Sequence, residues 1–313
     1  MDWIKQRVHI GKFPTPVFDA ERLRPGLWIK DDGCCHNLVA GNKVRKLEYL
    51  FAQGDGPVAT MGAVGSHHIL ATAVHGARLG RPVKAVVFGR PFDEHASQVL
   101  AATLPLVSVE MAKNQLQAFK KLQQLGRYGA VIPAGGSSPV GVLGFVAAGL
   151  ELAQQIRLGL CPEPRKCFVP LGTAGTAVGL AMGFHAAGLE TRVIGVRVVP
   201  EAWLSVQQIE QLARDTSRIT KTDAMVPEIN NRFLGAGYGH HTALTQRSVA
   251  LARSMGFALE ETYTGKALAA ALDDSGGPDL YWQTHSTQSL SPLLAGAPVP
   301  KPQQWGWTSG VFA

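Results

Sequence analysis

Two lysines one helical turn apart, Lys43 and Lys46, are the residues of this sequence best placed for covalent chemistry. Asn42 precedes them and is a residue type favoured at helix N-caps, so we expect a helix with Lys43 in its first turn. Lysines three residues apart lie on one helical face. Two ammonium groups near the positive end of a helix lower each other's pKa, and imine formation requires a lysine with a lowered pKa. A solvated, basic helix start is the alternative interpretation of the same spacing.

A run of small residues is a second candidate site, for a phosphate group. It lies between an apolar strand-like segment and a helix-like segment, where backbone N–H groups at a helix N-terminus can surround an anion. The run lacks the glycine spacing of dinucleotide-binding loops and the Gly-Lys-Ser/Thr of a P-loop. A tight turn that binds nothing is the alternative. The residues of the run are Gly172, Thr173, Ala174, Gly175 and Thr176.

Ser66 begins another helix-like segment, directly after a strand that ends in glycines. Its hydroxyl and the free N–H groups of the first turn are able to hold a carboxylate, although an ordinary serine cap followed by two surface histidines explains the same residues. His67, His68 and His75 do not share one helical face, so we predict no metal site.

Two tyrosines, Tyr238 and Tyr263, lie next to or near glycines at the ends of predicted elements. Such tyrosines can point into a cleft, although each taken alone is also explained as a packing aromatic. An activated lysine, a phosphate-binding turn, a carboxylate-binding helix start and cleft tyrosines together indicate a site for pyridoxal phosphate.

The elements that would position these residues alternate between short β-branched runs and Ala/Leu-rich segments, which predicts βαβ units around a mostly parallel sheet and an α/β fold. Turn-rich breaks after residues 52 and 157 suggest a large domain of residues 1–52 and 151–313, with a smaller domain of residues 53–150 inserted in it. The predicted strands are residues 27–30, 58–61, 83–88, 107–109, 130–132, 167–171, 192–199 and 280–283. The predicted helices are residues 44–52, 66–79, 92–104, 112–125, 138–156, 176–187, 203–219, 243–255 and 265–273.

Composition excludes several classes of protein. The 313 residues are 46% hydrophobic and 17% charged, which is too apolar for intrinsic disorder. The net charge is +7, yet no run of five cations occurs, so a nucleic acid or a membrane surface is not indicated as a partner and an anionic small molecule is favoured. The four cysteines read as thiols in a reducing compartment, and the N-terminal residues have no apolar segment typical of a signal peptide, so we expect a cytoplasmic protein.

The sequence resembles the fold type II pyridoxal-phosphate enzymes, and within them the group of 1-aminocyclopropane-1-carboxylate deaminase and D-cysteine desulfhydrase. The resemblance extends from Phe13 to about Thr284. It implies the two-domain architecture of the tryptophan synthase β chain, with pyridoxal 5'-phosphate as cofactor, a small amino acid as substrate and a homodimeric assembly. Its markers, in chain order, are residues 29–32, 41–48, 65–68, 133–137, 172–176, 237–239 and 263–266.

The resemblance also implies residue roles. Lys43 falls on the lysine that binds the cofactor covalently, and Lys46 falls on a lysine that contacts its phosphate, as does the run of residues 172–176. Ser66 matches a serine that binds substrate and acts in catalysis, and Tyr238 and Tyr263 match two active-site tyrosines. We further assign cofactor contacts to Asn42, His67, Thr264 and Thr284, and substrate contacts to Ser66, His67, His68, Tyr238 and Tyr263.

Two positions favour one reaction over another. Deaminases of this group have a glutamate at the position of Thr264, where it faces the pyridine nitrogen and can stabilise a protonated ring. A hydroxyl cannot balance that charge, so we expect the cofactor ring to be a weaker electron sink here. The reaction should then be one that a weaker electron sink can support. At the position of Thr284 the desulfhydrases of the group also have a threonine, whereas the deaminases have a leucine. We therefore predict α,β-elimination from a small β-substituted amino acid, with D-cysteine giving pyruvate, ammonia and hydrogen sulfide, and with Lys43 as the general base.

Some departures from the family pattern keep alternatives open. His67 stands where the family has an asparagine that contacts the ring hydroxyl of the cofactor, and His285-Ser286 replaces a pair of glycines. The alternatives are 1-aminocyclopropane-1-carboxylate deaminase, L-cysteate sulfo-lyase, and a sensor that binds pyridoxal phosphate without efficient turnover.

Overall fold

The structure is a computed structural model that describes residues 2–89 and 94–295. Contacts divide the described residues into two compact units, residues 2–49 with 137–287, and residues 50–89 and 94–136 with 288–295. The strands are β1 Val17–Asp19, β2 Leu27–Asp31, β3 Val58–Ala63, β4 Val83–Phe88, β5 Val107–Ala112, β6 Ala130–Ile132, β7 Lys166–Leu171, β8 Arg192–Arg197, β9 Glu228–Asn230 and β10 Asp279–Gln283. The α-helices are α1 Asn42–Phe51, α2 His67–Arg78, α3 Glu94–Thr103, α4 Gln115–Leu125, α5 Pro139–Arg157, α6 Gly175–Ala186, α7 Val206–Thr220, α8 Ala243–Ser254, α9 Thr264–Asp273 and α10 Ser291–Leu294.

The first unit is built on a six-stranded sheet of order β1-β2-β10-β7-β8-β9. β1 pairs antiparallel with β2, and the other neighbouring strands are parallel. All five residues of β10 are buried, because this strand lies in the middle of the sheet. Near-continuous apolar strands are typical of a parallel sheet covered on both faces.

Three neighbouring strands of this sheet determine where the candidate site lies. β2, β10 and β7 run parallel, so their carboxyl ends lie at the same edge. The chain continues from β2 to α1, from β7 to α6, and from β10 to Thr284. Ligands of open α/β sheets bind outside the carboxyl ends of the strands. The predicted lysine helix and the predicted phosphate turn are thus brought to one edge by strand pairing.

Helices α5 and α6 pack closely in the core of the first unit. A Cβ atom on Gly149 would lie 2.8 Å from the Cα of Gly183, so the two backbones touch at positions where only glycine fits. α5 is long and apolar enough to cross a membrane by length and composition alone, but most of it is buried in this core.

The second unit contains a four-stranded parallel sheet of order β5-β4-β3-β6. Val64, Ile69, Ala85, Val87 and Leu100 form a buried cluster in this unit. Helix α2 begins at His67 after the cap residue Ser66, whose side chain accepts a hydrogen bond from the N–H of Ile69.

The predicted α/β fold is confirmed, and each predicted strand and helix corresponds to an observed one within a few residues. Strands β1 and β9, which were not predicted, have three residues each and lie at the edges of the first sheet. The proposed domain boundaries differ from the observed units at two places. Helix α5 packs on α6 and belongs to the first unit from Ser137 onward, and residues 288–295, proposed for the large domain, group with the second unit. Residues 296–313 of the predicted large domain lie outside the described residues.

Helix α1 is fixed by a buried ionic cluster. Arg45 is 3% exposed, and its guanidinium donates to both carboxylate oxygens of Asp32 at 2.9 Å and to Glu151 at 2.9 and 3.0 Å. The indole N–H of Trp282 also donates to Asp32, and Lys30 donates to Glu151. Although burial opposes it, the charges of Arg45 and Lys30 hold the pKa of Glu151 at about 2.

Removing the arginine should destabilise the protein strongly. Arg45→Met leaves Asp32 buried without its cationic partner, so we expect the free energy of unfolding to fall by about 3–5 kcal/mol. Arg214→Met, which breaks an exposed pair with Glu210 on α7, should cost no more than about 0.5 kcal/mol. Urea unfolding followed by circular dichroism measures both values, and equal losses would contradict the assigned role of the cluster.

Candidate active site

Helix α1 begins against the segment that follows β10. The backbone N–H of Asn42 donates to the carbonyl oxygen of Thr284 at 3.0 Å. Gly41 has a φ of +91°, and a Cβ atom there would lie 2.6 Å from the same oxygen. A glycine before the helix therefore lets its first residue lie directly against Thr284.

The side chain of Asn42 links the lysine helix to α6. Its Oδ1 accepts a hydrogen bond from Nζ of Lys43 at 2.8 Å, and its Nδ2 donates to Oγ1 of Thr176 at 3.2 Å. The prediction that Asn42 caps the helix is wrong, since α1 begins at Asn42 itself and its side chain is engaged by these two partners. The consequence is that the amine of Lys43 is held beside the N-terminal turn of α6.

Burial makes the amine of Lys43 unusually easy to deprotonate. Desolvation lowers its pKa to about 8, against the opposing effect of the negative charge of Glu260. Burial also lowers the pKa of Lys46 well below its usual range, with a smaller contribution from the charge of Lys43. Mutual repulsion was the predicted cause, whereas desolvation is the larger effect on the pKa of both lysines. A neutral amine is the nucleophilic and proton-accepting form of lysine.

Hydrogen-bond donors converge around the turn between β7 and α6. Nζ of Lys46 donates to Oγ of Ser137 at 3.1 Å, and Ser137 lies 2.7 Å from Oγ1 of Thr173. The backbone N–H of Gly175 also donates to Ser137, at 3.2 Å. A Cβ atom on Gly175 would lie 2.5 Å from that hydroxyl and 2.9 Å from Nζ of Lys46, so glycine keeps this position open. A lysine amine, two hydroxyls and a helix N-terminus form a cradle suited to a phosphate, whose negative charge would favour the protonated lysine.

Ser137 was not among the predicted site residues. It follows two glycines in a segment that contributed to the family resemblance, residues 133–137, and this was the available signal. Its hydroxyl contacts Lys46, Thr173 and Gly175, which belong to two different helices and the turn between a strand and a helix. A single sequence does not reveal that these three elements meet at one serine.

The two predicted tyrosines are in contact. The hydroxyls of Tyr238 and Tyr263 are 2.7 Å apart, and their rings meet edge to face with centroids 5.9 Å apart. Tyr263 also lies against the phosphate turn, because a Cβ atom on Gly172 would be 3.1 Å from its ring. Both tyrosines are half-buried, so their hydroxyl pair is not sealed in the core.

Thr264 begins helix α9 and is paired with Glu260, which the sequence analysis missed. The hydroxyl of Thr264 lies 3.0 Å from Oε1 of Glu260. The same carboxylate accepts hydrogen bonds from the N–H groups of Thr262, Tyr263 and Thr264. An acidic residue just before a predicted helix is a recognisable helix-start signal, and its charge is here compensated by the helix N-terminus.

Three predicted residues belong to the second unit. Ser66 caps α2, as described above, and His67 lies with its Nε2 2.8 Å from Nε2 of His95, the two rings stacked. His68 is buried, and its Nε2 is 2.8 Å from the hydroxyl of Thr60 on β3. This interior position contradicts the alternative of two surface histidines, and the substrate contact expected for His68 remains a prediction. The roles of Ser66 and His67 remain predictions.

The first unit brings most of the predicted residues together. These are Asn42, Lys43, Lys46, Gly172, Thr173, Ala174, Gly175, Thr176, Tyr238, Tyr263, Thr264 and Thr284. Ala174 lies at the start of α6 with a φ of +63°, the left-handed region that favours glycine, which gives the turn its tight curvature.

Comparison with known proteins identifies the family. A family model described as "Pyridoxal-phosphate dependent enzyme" matches residues 8–279. The chain belongs to this family. Its cofactor is pyridoxal 5'-phosphate, and the structure has the two-sheet α/β fold of fold type II enzymes.

Curated relatives of similar identity carry different names. The chain is 32% identical to a putative 1-aminocyclopropane-1-carboxylate deaminase of Pyrococcus furiosus over 85% of this chain and 86% of the relative. It is 31% identical to a nocardicin C-9' epimerase of Nocardia uniformis, over 94% and 96%, and to a D-cysteine desulfhydrase of Salmonella paratyphi A, over 91% and 95%. A solved structure titled as an ACC deaminase homologue superposes with a TM-score of 0.80 at 25% identity, covering 92% of this chain and 95% of that one.

The residues present fit the cofactor. Its phosphate suits the cradle of Lys46, Ser137, Thr173 and Gly175, which a single Cβ atom would fill. Its aldehyde requires a neutral lysine amine, and the pKa of Lys43 is lowered to about 8. When bound, pyridoxal phosphate supplies an electron sink for charge that develops at the substrate's α-carbon.

Loss of the cradle contacts should weaken cofactor binding. We expect Lys46→Ala to raise the dissociation constant for pyridoxal phosphate about 10–100-fold, because a charged hydrogen bond to the phosphate is lost, and Ser137→Ala to raise it about fivefold. Ser138→Ala is the matched control, since Ser138 caps α5 and is absent from the cradle contacts described above. Fluorescence titration of the cofactor-free protein measures each constant. An equal loss of affinity for both serine variants would contradict the cradle assignment.

The lowered pKa of Lys43 should be visible in its reactivity. Deprotonation exposes the reactive amine, so the rate of reductive methylation at Lys43 in the cofactor-free protein should rise with pH through an inflection near pH 8. Mass spectrometry of the modified peptides gives the rate at each pH, with the partly exposed Lys121 as an internal comparison. An inflection at pH 10 or above would contradict the desolvated environment assigned to Lys43.

Proposed function

We propose that this protein is a pyridoxal-phosphate-dependent lyase that catalyses α,β-elimination on a small β-substituted amino acid, with D-cysteine as the leading substrate. The products would be pyruvate, ammonia and hydrogen sulfide. The family match and two of the relatives named above support the assignment to lyases of the deaminase and desulfhydrase type.

Thr264 is the observation that carries the choice of reaction. Its hydroxyl is neutral, and the nearby carboxylate of Glu260 is engaged with three backbone N–H groups of the α9 turn. Thr264 therefore supplies no negative charge to balance a protonated cofactor ring. Release of a β-substituent such as sulfide needs a weaker electron sink than opening a cyclopropane whose α-carbon carries no hydrogen.

The remaining roles follow from the positions of the side chains. Lys43, held by Asn42, is the base that takes the α-proton of the substrate in its neutral form. Lys46, Ser137 and the turn of residues 172–176 hold the cofactor's phosphate. We assign the paired hydroxyls of Tyr238 and Tyr263 to contact with the leaving β-substituent. There a hydroxyl can exchange a proton with the substituent as its bond to the β-carbon breaks. Ser66, at the start of α2, is assigned to the substrate carboxylate.

Sequence identity alone does not select the substrate. Relatives at 31–32% identity are named for a deaminase, an epimerase and a desulfhydrase, so the reaction has to be argued from the site. A homodimer and a cytoplasmic location, both expected from the sequence, belong to this proposal as well.

A substrate panel tests the reaction directly. The holoenzyme is incubated with D-cysteine, L-cysteine, L-cysteate and 1-aminocyclopropane-1-carboxylate while sulfide, sulfite, pyruvate or 2-oxobutyrate, and ammonia are measured. We expect D-cysteine to give sulfide, pyruvate and ammonia, and Lys43→Ala to lower turnover at least about 1,000-fold because the base is lost. Lys121→Ala, on the surface of α4, should retain full turnover.

Each other outcome excludes part of the proposal. Ammonia from the cyclopropane substrate without sulfide from D-cysteine would show that the argument from Thr264 is wrong. Sulfite from L-cysteate alone would reassign the leaving group. A holoenzyme that binds the cofactor but turns over none of the four would favour the sensor over the lyase.

A further inference from the structure

Tyr238 lies on a connection with no regular secondary structure, residues 231–242 between β9 and α8. Gly235, Gly237 and Gly239 in this connection all have positive φ values, of +66°, +131° and +77°. Two backbone hydrogen bonds lie within it, from Leu234 to Asn231 and from His240 to Gly237. A segment of this kind does not by its own backbone fix a tyrosine hydroxyl to within a few tenths of an ångström.

A buried lysine on α9 holds this connection. Lys266 is 0% exposed, and its Nζ donates to the carbonyl oxygen of Leu234 at 2.6 Å and to that of Gly237 at 3.3 Å. Gly237 directly precedes Tyr238, so the second contact acts one residue from the tyrosine. Both carbonyls belong to the irregular connection, and the ammonium joins them to the first turn of a regular helix.

The same helical turn also carries the second tyrosine. Tyr263 is the residue just before α9, and Glu260 fixes it by accepting its backbone N–H at 2.9 Å. Tyr263 and Lys266 are three residues apart in the chain. The two tyrosines, whose hydroxyls are 2.7 Å apart, are therefore also connected by a short path from Tyr263 through the helix to Lys266 and from there to Gly237. The ring of Trp203 packs against Tyr238 as well, with centroids 5.4 Å apart.

The position of Lys266 is costly for a charged group. Burial lowers its pKa to about 8, and the negative charge of Glu260 offsets only part of this effect. A methionine of similar length would fill the same space without that cost, although it would leave two carbonyls without a donor. The two carbonyl contacts are the interactions that an apolar residue cannot replace.

We propose that Lys266 is the positioning residue for Tyr238, and that its ammonium fixes the Tyr238 hydroxyl against Tyr263 by clamping the carbonyls of Leu234 and Gly237. The inference rests on the proposed function only in placing the two tyrosines in the active site. Lys266 touches neither tyrosine hydroxyl and acts through the backbone of the connection.

The first test reads the tyrosines directly and does not depend on the substrate. The holoenzyme is labelled with carbon-13 at the ζ carbon of tyrosine, and signals are assigned with single Tyr→Phe variants. In Lys266→Met we expect the signals of Tyr238 and Tyr263 to shift or broaden, while that of the exposed Tyr128 stays in place. Lys166→Met, which removes a partly buried lysine paired with Asp274, is the matched control and should leave all of these signals unchanged.

The second test asks whether Lys266 acts through Tyr238. Against the best substrate of the panel, Lys266→Met should lower kcat about tenfold with a smaller change in KM, and in the Tyr238→Phe background it should cost less than about twofold. Lys266→Gln keeps an amide donor and should restore part of kcat and part of the tyrosine signals, which also covers the case in which the methionine variant does not fold.

The outcomes separate this inference from the proposed function. Unchanged tyrosine signals in both Lys266 variants, or equal losses of kcat with and without the Tyr238 hydroxyl, would overturn the positioning role. If none of the four amino acids is turned over but the tyrosine signals move as expected, the proposed reaction fails while the positioning role of Lys266 stands.

Discussion

The parallel pairing of β10 with β2 on one side and β7 on the other is the constraint on which the candidate site depends. It brings the carboxyl ends of three strands to one edge, and the chain leaves that edge into α1, into α6 and into the segment of Thr284. Lys43 and the phosphate turn of residues 172–176 are more than a hundred residues apart in the chain. They meet because strand register determines where each helix begins.

Burial then gives the gathered side chains their chemical character. The pKa values of Lys43, Lys46 and Lys266 are all lowered, and in each case desolvation is the larger cause. The amine of Lys43 contacts the side chain of Asn42, and that of Lys46 belongs to the phosphate cradle. The amine of Lys266 contacts two backbone carbonyls. Arg45 lies on the same helix as Lys43 and Lys46, and its ion pairs with Asp32 after β2 and with Glu151 on α5 hold that helix in place.

Much of this arrangement could be predicted from the sequence, because it rests on local patterns. The alternation of apolar runs predicted the strands and helices. The lysine spacing predicted the reactive amine, and the run of small residues predicted the phosphate turn. What could not be predicted depends on contacts between distant segments. Asn42 has a cap-like sequence position, but its side chain binds Lys43 and Thr176. Ser137, Glu260 and Lys266 act through partners that only the folded chain reveals, and α5 is assigned to the first unit by its glycine contacts with α6.

The identity of the lysine that binds the cofactor tests the account most directly, because the pKa values of four lysines are lowered, those of Lys30, Lys43, Lys46 and Lys266, and only Lys43 is placed to react. The holoenzyme is reduced with borohydride, digested, and its peptides are mapped by mass spectrometry. The account predicts the cofactor adduct on Lys43 alone. An adduct on Lys46 would contradict the phosphate cradle, and an adduct on Lys266 would contradict both the buried clamp and the site described for the first unit.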